Sequence, residues 1–284
     1  MKRKNIIEFI IQLVKRNSGN FNKCSEHLER VINKMSLRDI KVNLLECGVL
    51  PERFQHDSTE EKLYSKYSDV LLAKTLTFMG IKSKIVKKRA DAPDVEGISR
   101  DYTMVADAKV FRLSRTAKNQ KDFKVEALSK WKKDKDFACM VCPLYQYLKS
   151  RSQIYQQAID NNVTLLSYIH LYFILSQKNP DKLDYKPLWA VGKTLTVTKK
   201  AKTYWDTIDK KICEILNKDK KELKKIKQFE LKLLKKAAKE EISYIDDKVR
   251  SFKKIPKKKF IEMLITAEKL NGKIKQIKKI SGLK

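Results

Sequence analysis

Pro93-Asp94-Val95-Glu96-Gly97 and Thr103-Met104-Val105-Ala106-Asp107-Ala108-Lys109 are the two runs whose reading decides how this chain folds. Over 102–111 a period of two predicts a strand with Met104, Ala106, Ala108 and Val110 on one face. Asp107 and Lys109 then share the other face, two residues apart and pointing the same way. An acid and a lysine side by side are an unusual use of a half-buried strand. If a hairpin partner brings Asp94 alongside, two carboxylates and one ammonium converge. Close carboxylates repel and so invite a divalent cation. Oxygen ligands suit Mg²⁺, which binds through one or two carboxylates plus substrate phosphates. In outline this is a site for cutting a phosphodiester.

The flanks extend the reading. Residues 81–86, 95–99 and 103–111 are expected as strands, with Gly97 and Ser99-Arg100-Asp101 as turn signals. Lys87, Lys88 and Arg89 fall at the mouth of the site or in a solvated loop, and Glu96 is a lesser metal-ligand candidate. Upstream, Leu63, Tyr67, Val70 and Phe78 at helical spacing predict a helix over 58–79, closed by Gly80. Ser58-Thr59-Glu60-Glu61 fits a capping box in which Glu61 reaches back to the Ser58 amide. Downstream, 112–124 mixes Arg112, Arg115, Lys118, Lys121 and Lys124 with Ser114, Thr116, Asn119, Gln120 and Asp122. Cations satisfy phosphates. Asn and Gln suit adenine, a cation suits guanine, and an acid accepts from cytosine. Asn119 and Asp122 are the base-contact candidates, while Arg115 and Lys118 suit phosphate or base; Gln120 and Lys121 complete the DNA-binding set. A solvated charged loop is the plainer alternative.

Pro93-Asp94 followed by Asp107-Ala108-Lys109 resembles the PD-(D/E)xK nuclease motif, which alone is weakly specific. Taken with Ser58-Thr59-Glu60-Glu61-Lys62-Leu63, Val105–Lys109 and the run from Phe111 to Lys124, the chain resembles the HindIII-like type II restriction endonucleases, densely over 50–175. The resemblance implies an α/β core with a central mixed sheet flanked by helices, and a helical C-terminal region. It implies Mg²⁺, with Mn²⁺ tolerated, held by Asp94, Asp107 and the Ala108 carbonyl. Lys109 would lie near the attacking water, and Glu61 would point into the site, binding a second metal or orienting Lys109. It further implies double-stranded DNA as substrate, a palindrome such as AAGCTT as target and 5′-phosphate ends. A homodimer and a cognate methyltransferase in the same restriction-modification system follow from it. A nuclease of the same fold without tight specificity, such as a repair or junction enzyme, and a non-catalytic DNA-binding protein are the rival classes.

Composition bounds these readings. The 284 residues carry 64 Lys+Arg against 34 Asp+Glu, a net +30 that attracts polyanions and rewards DNA binding through counterion release. The five cysteines are scattered and odd in number, so no disulfide framework is expected. Cys139 and Cys142 sit in an expected buried strand, on opposite faces. His27, His56 and His170 are too dispersed for zinc. The start, with Ile6, Ile7, Phe9, Ile10 and Ile11 broken by Glu8, reads as an amphipathic helix and not a signal peptide. With no apolar run of membrane length, the bacterial cytoplasm is the expected place. The expected organisation is helical support over 1–50, a catalytic core over 51–180 and a helical region over 181–284. In the last, Leu234, Ala238, Ile242, Ile245, Val249 and Phe252 make a 3/4-spaced stripe. A final helix is expected over 257–270, broken by Asn271-Gly272.

Overall fold

The computed structural model describes residues 3–86, 92–115, 120–195, 198–267 and 270–281, with backbone only at 120–121, 271 and 277–281. The chain divides into a larger unit, Met1–Ala238, and a smaller one, Lys239–Lys284.

In the larger unit, α1 (Arg3–Arg16), α2 (Phe21–Asn33) and α3 (Leu37–Glu46) open the chain, and Asn20 and Ser36 cap the last two. The long α4 (Thr59–Phe78) follows. Ser58 Oγ accepts the Glu61 N–H at 3.2 Å at its start. Gly80 ends it with φ +81, a left-handed position where a Cβ would also strike the Asp181 carbonyl. Then come β1 (Lys82–Ile85), β2 (Val95–Ile98), β3 (Thr103–Ala108), α5 (Gln120–Phe123), α6 (Val125–Lys132), β4 (Phe137–Val141), α7 (Gln153–Asp160), β5 (Val163–Leu166) and α8 (Tyr168–Leu175). Short helical turns follow, α9 (Lys186–Trp189) among them, and α10 (Ala201–Leu216) and α11 (Lys220–Lys253) complete the order.

The five strands lie in chain order in one sheet. β1, β2 and β3 form an antiparallel meander; β3, β4 and β5 run parallel, connected through α6 and α7. The mixed sheet flanked by helices is the α/β architecture expected from the alternation of strands and helices. One expectation is corrected. β3 is not half-buried: everything from Met104 to Ala108 is buried. It lies between β2 and β4 with helices packed on it, and a strand inside the parallel part of a sheet is covered on both faces. Asp107 is therefore a charged group in the core. The strand is also shorter than 102–111, although the Lys109 N–H extends the β4 ladder to the Val141 carbonyl at 2.8 Å.

Beyond Ala238 the chain is helical. The smaller unit takes in the end of α11, then α12 (Lys257–Ala267) and α13 (Leu270–Ser281). Asn271-Gly272 does not break a helix; it lies in the first turn of α13, where intrahelical amide bonds are not required. Among the described residues, no helix is long and apolar enough to cross a membrane.

Candidate active site

The hairpin explains why a spacing of thirteen matters. Val95 pairs with Ala106 across the β2–β3 ladder, so one step further along Asp94 and Asp107 stand opposite each other. Alternation along β3 puts Lys109 on the Asp107 side, at the end of the strand. The Lys109 ammonium sits 2.5 Å from Asp107 Oδ2 and 3.9 Å from Asp94 Oδ2. The Asp107 side chain is fully buried, Lys109 is 20% exposed and Asp94 is 41% exposed. The group thus grades from core to solvent. The carbonyl of Lys109 accepts from the Tyr168 hydroxyl at 3.2 Å, which fixes the backbone at the strand end to α8.

A fourth member was not anticipated. Asp69, buried on α4, is close enough that its charge acts on Asp94 and Asp107 and theirs on it. Its only sequence signal is an acid inside Tyr67-Ser68-Asp69-Val70-Leu71-Leu72, a run otherwise almost wholly apolar.

Three carboxyls crowd near the Lys109 ammonium, and the charges of Lys66 and Lys124 also act on them. Desolvation, then the neighbouring carboxylates, push Asp69 well above the usual range. Desolvation, the hydrogen bond to Asp107 and its negative charge push Asp94 up to about 8. Burial alone would raise Asp107 too, but the Lys109 charge and the hydrogen bonds from Asp94 and Lys109 hold it below its ordinary value. Lys109 is raised: burial works against its charge, and Asp107 and Asp94 outweigh that. Lys109 is thereby kept as an ammonium and Asp107 as a carboxylate, while Asp94 and Asp69 hold protons in the absence of further positive charge.

The donor set fits a hard divalent cation. Asp107 Oδ2 is ion-paired with Lys109, and with Asp94 ionised the buried Oδ1 is left without a hydrogen-bond partner. Buried polar atoms are ordinarily paired, and an orphaned carboxylate among oxygen donors is a place for a metal ion.

A cleft of about 1090 Å³ opens from this cluster. Asp69, Asp94, Glu61, Arg112 and Arg115 line it together with residues of α2. Glu61 lines the same cleft as Asp94 and is held by two other partners. Its Oε1 pairs with Arg112, and its Oε2 accepts the Asp57 N–H at 2.6 Å, one residue beyond the Ser58 amide expected of the capping box. Arg112 also donates to the Phe54 carbonyl at 2.7 Å, and Ser114 donates through N–H and hydroxyl to Glu52 at 2.9 and 2.7 Å. The stem of the 112–124 segment is thus clamped to the loop before α4. Arg115 stacks over Phe111 and pairs with Asp122 at 2.5 Å. Lys118 and Asn119 lie outside the described residues, as do the Gln120 and Lys121 side chains and Lys87, Lys88 and Arg89.

His56, Asp57 and Glu61 bring ligand-type atoms within 4.8 Å of one another on the same cleft. With Glu61 held by Arg112 and His56 on Asp57 at 2.9 Å, that group is internally satisfied.

Comparisons with known proteins place the chain in a family. The type II restriction enzyme HindIII of Haemophilus influenzae is 32% identical over 99% of this chain and 97% of its own length. The family model for the HindIII restriction endonuclease matches residues 4–281. The residues that meet around Lys109 lie within that span, and the chain belongs to the HindIII restriction endonuclease family.

Proposed function

We propose that the chain is a site-specific deoxyribonuclease that hydrolyses a phosphodiester in each strand of a palindromic duplex, AAGCTT or a close relative. The observation that carries the reading is the meeting of Asp94, Asp107 and Lys109 beside a cleft that Asp94 lines, with Asp107 fully buried and its Oδ1 without a hydrogen-bond partner.

Asp94, Asp107 and the carbonyl of Ala108 would hold Mg²⁺ or Mn²⁺. Such an ion lowers the pKa of bound water and offsets charge on the phosphorane. Lys109 places a fixed ammonium beside the scissile phosphate, where negative charge grows as water attacks phosphorus. Its raised pKa suits it to stabilise that charge and not to act as base. Loss of the 3′-oxygen leaves a 5′-phosphate and a 3′-hydroxyl. Asp69, the third carboxyl, adds to the negative field that draws the cation. Glu61 acts at one remove, holding Arg112 and so the 112–124 segment in line with the cleft. That segment, with Arg115, Lys118, Asn119, Gln120, Lys121 and Asp122, is the proposed reader of bases and phosphates. A dyad-symmetric target carries two scissile bonds, which a homodimer serves with one site each. A partner methyltransferase would spare the host's own copies of the target.

The test is digestion of DNA of known sequence with Mg²⁺ and mapping of the ends. Discrete fragments with 5′-phosphates at one palindrome are expected. A smear, or cutting that tracks junctions or damage instead of sequence, would overturn the specificity.

A further inference from the structure

The smaller unit exposes its apolar residues. On the last turns of α11, Ile242, Ile245, Val249 and Phe252 follow one another at spacings of three, four and three, and they are 58, 39, 46 and 41% exposed. α12 has no buried residue, and its Phe260, Ile261, Met263 and Leu264 are exposed as well. Soluble chains rarely leave a contiguous stripe of this kind uncovered. A stable protein pair buries roughly 800 Å² on each partner, and this many half-exposed large side chains offers area of that order.

We infer that the stripe Ile242–Ile245–Val249–Phe252 is a contact between two copies of this chain, with their α11 helices antiparallel. It gives the proposed homodimer a contact face and rests on that reading for its purpose.

The charges flanking the stripe select both occupant and direction. The 3-4-3 spacing is that of the a and d positions of a heptad, which places Asp246 and Lys253 at e, and Lys248 and the buried Glu241 at g. In a parallel pair, g faces e of the mate, so Lys248 meets Lys253 and Glu241 meets Asp246 of the second copy, and like charges repel on both sides. In an antiparallel pair, e faces e and g faces g, and the g row carries one acid, Glu241, and one base, Lys248. Asp246 of each copy then meets Lys253 of the other, twice over. The same register sets Ile242 on Phe252 and Ile245 on Val249, so every apolar residue of the stripe meets another. A two-fold contact demands this kind of self-complementarity: what i does to j, j does to i. A nucleic acid would find no use for the apolar stripe.

Sedimentation of the full-length protein, with and without target duplex, tests the assignment. Wild type is expected to sediment as a dimer, and Ile245→Glu with Val249→Glu to weaken association by at least about a hundredfold, as loss of a central apolar anchor does. Because paired glutamates can also fray the helix, a charge exchange supplies the second arm. Asp246→Lys and Lys253→Asp each weaken the dimer, and the two together restore it. Direction is read by oxidation of single-cysteine variants: Ile242→Cys mixed with Phe252→Cys cross-links, and neither alone does so efficiently. A wild type that stays monomeric with DNA present overturns the proposal. So does a dimer untouched by the exchange, or an Ile245→Cys thiol shielded in a monomer because the chain covers its own stripe. Asp107→Asn must remain dimeric, so loss of cutting and loss of pairing are separate results.

Discussion

Two clusters of acid and base lie in the larger unit, and they are built on opposite plans. Around His170 everything is paired. The Ser167 N–H donates to Nδ1 at 3.1 Å, so the proton is on Nε2, which donates to Asp209 at 3.1 Å. Lys227 then reaches both Asp209 oxygens at 2.6 Å. The order serine, histidine, aspartate looks like a hydrolytic relay, yet Ser167 and His170 are fully buried and the serine caps α8. Around Lys109, by contrast, three carboxyls crowd together and the buried Oδ1 of Asp107 has no hydrogen-bond partner. Buried charge that is fully matched ties α8, α10 and α11 together; buried charge left short of a cation awaits one.

The contrast can be broken by exchanging what each cluster loses. Lys109→Ala is expected to lower the cleavage rate by roughly 10²–10³, the scale for removing one electrostatic stabiliser. Binding of target DNA should persist in a gel-shift titration; unchanged cutting would make Lys109 a structural pair. His170→Ala should do the reverse. Removing the link between Ser167 and Asp209 leaves buried polar groups unpaired and is expected to cost about 2–3 kcal/mol in urea unfolding. The rate per folded molecule should be untouched, and a large fall in it would dissolve the distinction. Asp69→Asn has a smaller expected effect, an approximately tenfold rise in the Mg²⁺ concentration that gives half-maximal cleavage, equal to about 1.4 kcal/mol.

The smallest effect sharpens the picture of the closed cluster. Desolvation, then the Lys227 charge, lowers His170 to about 4 despite Asp209. The unfolded histidine takes a proton near 6.5 and the folded one does not. Stability is intact above that value, declines as pH falls toward about 4, and levels below it. The loss by pH 5.5 is about 1.4 kcal/mol, and His170→Ala should abolish that part of the slope in chemical denaturation.

These clusters were unequally legible in the sequence. Asp94, Asp107 and Lys109 could be joined because strand alternation and hairpin pairing are short-range rules: a turn over 99–102 sets the register that makes Asp94 face Asp107. Asp69 could not. A single acid in a helix reads the same whether it faces water or a sheet, and only the packing of α4 over β1–β3 turns it inward. Glu61 was read as a capping-box residue or as a site residue beside Lys109, yet its main partner, Arg112, is 51 residues away and comes to it through tertiary structure. The depth of β3 escaped for a related reason. Its alternation implied one open face, and the parallel neighbour β4 with its crossover helix closed it. The periodicity of α11 was plain, but periodicity says only that a face is apolar, and not that it remains exposed.

The account turns on Asp107 as a buried carboxylate that needs a cation for cleavage and not for recognition. Asp107→Asn removes the charge and keeps the shape. Plasmid cleavage in Mg²⁺, target binding without metal and urea stability should be measured on the same preparation. Cutting is expected to vanish while binding survives and stability holds, because Asp94, 3.9 Å from Lys109, can give up its proton and take over the ion pair. Cutting at the wild-type rate, or loss of binding and stability together with it, would contradict the claim.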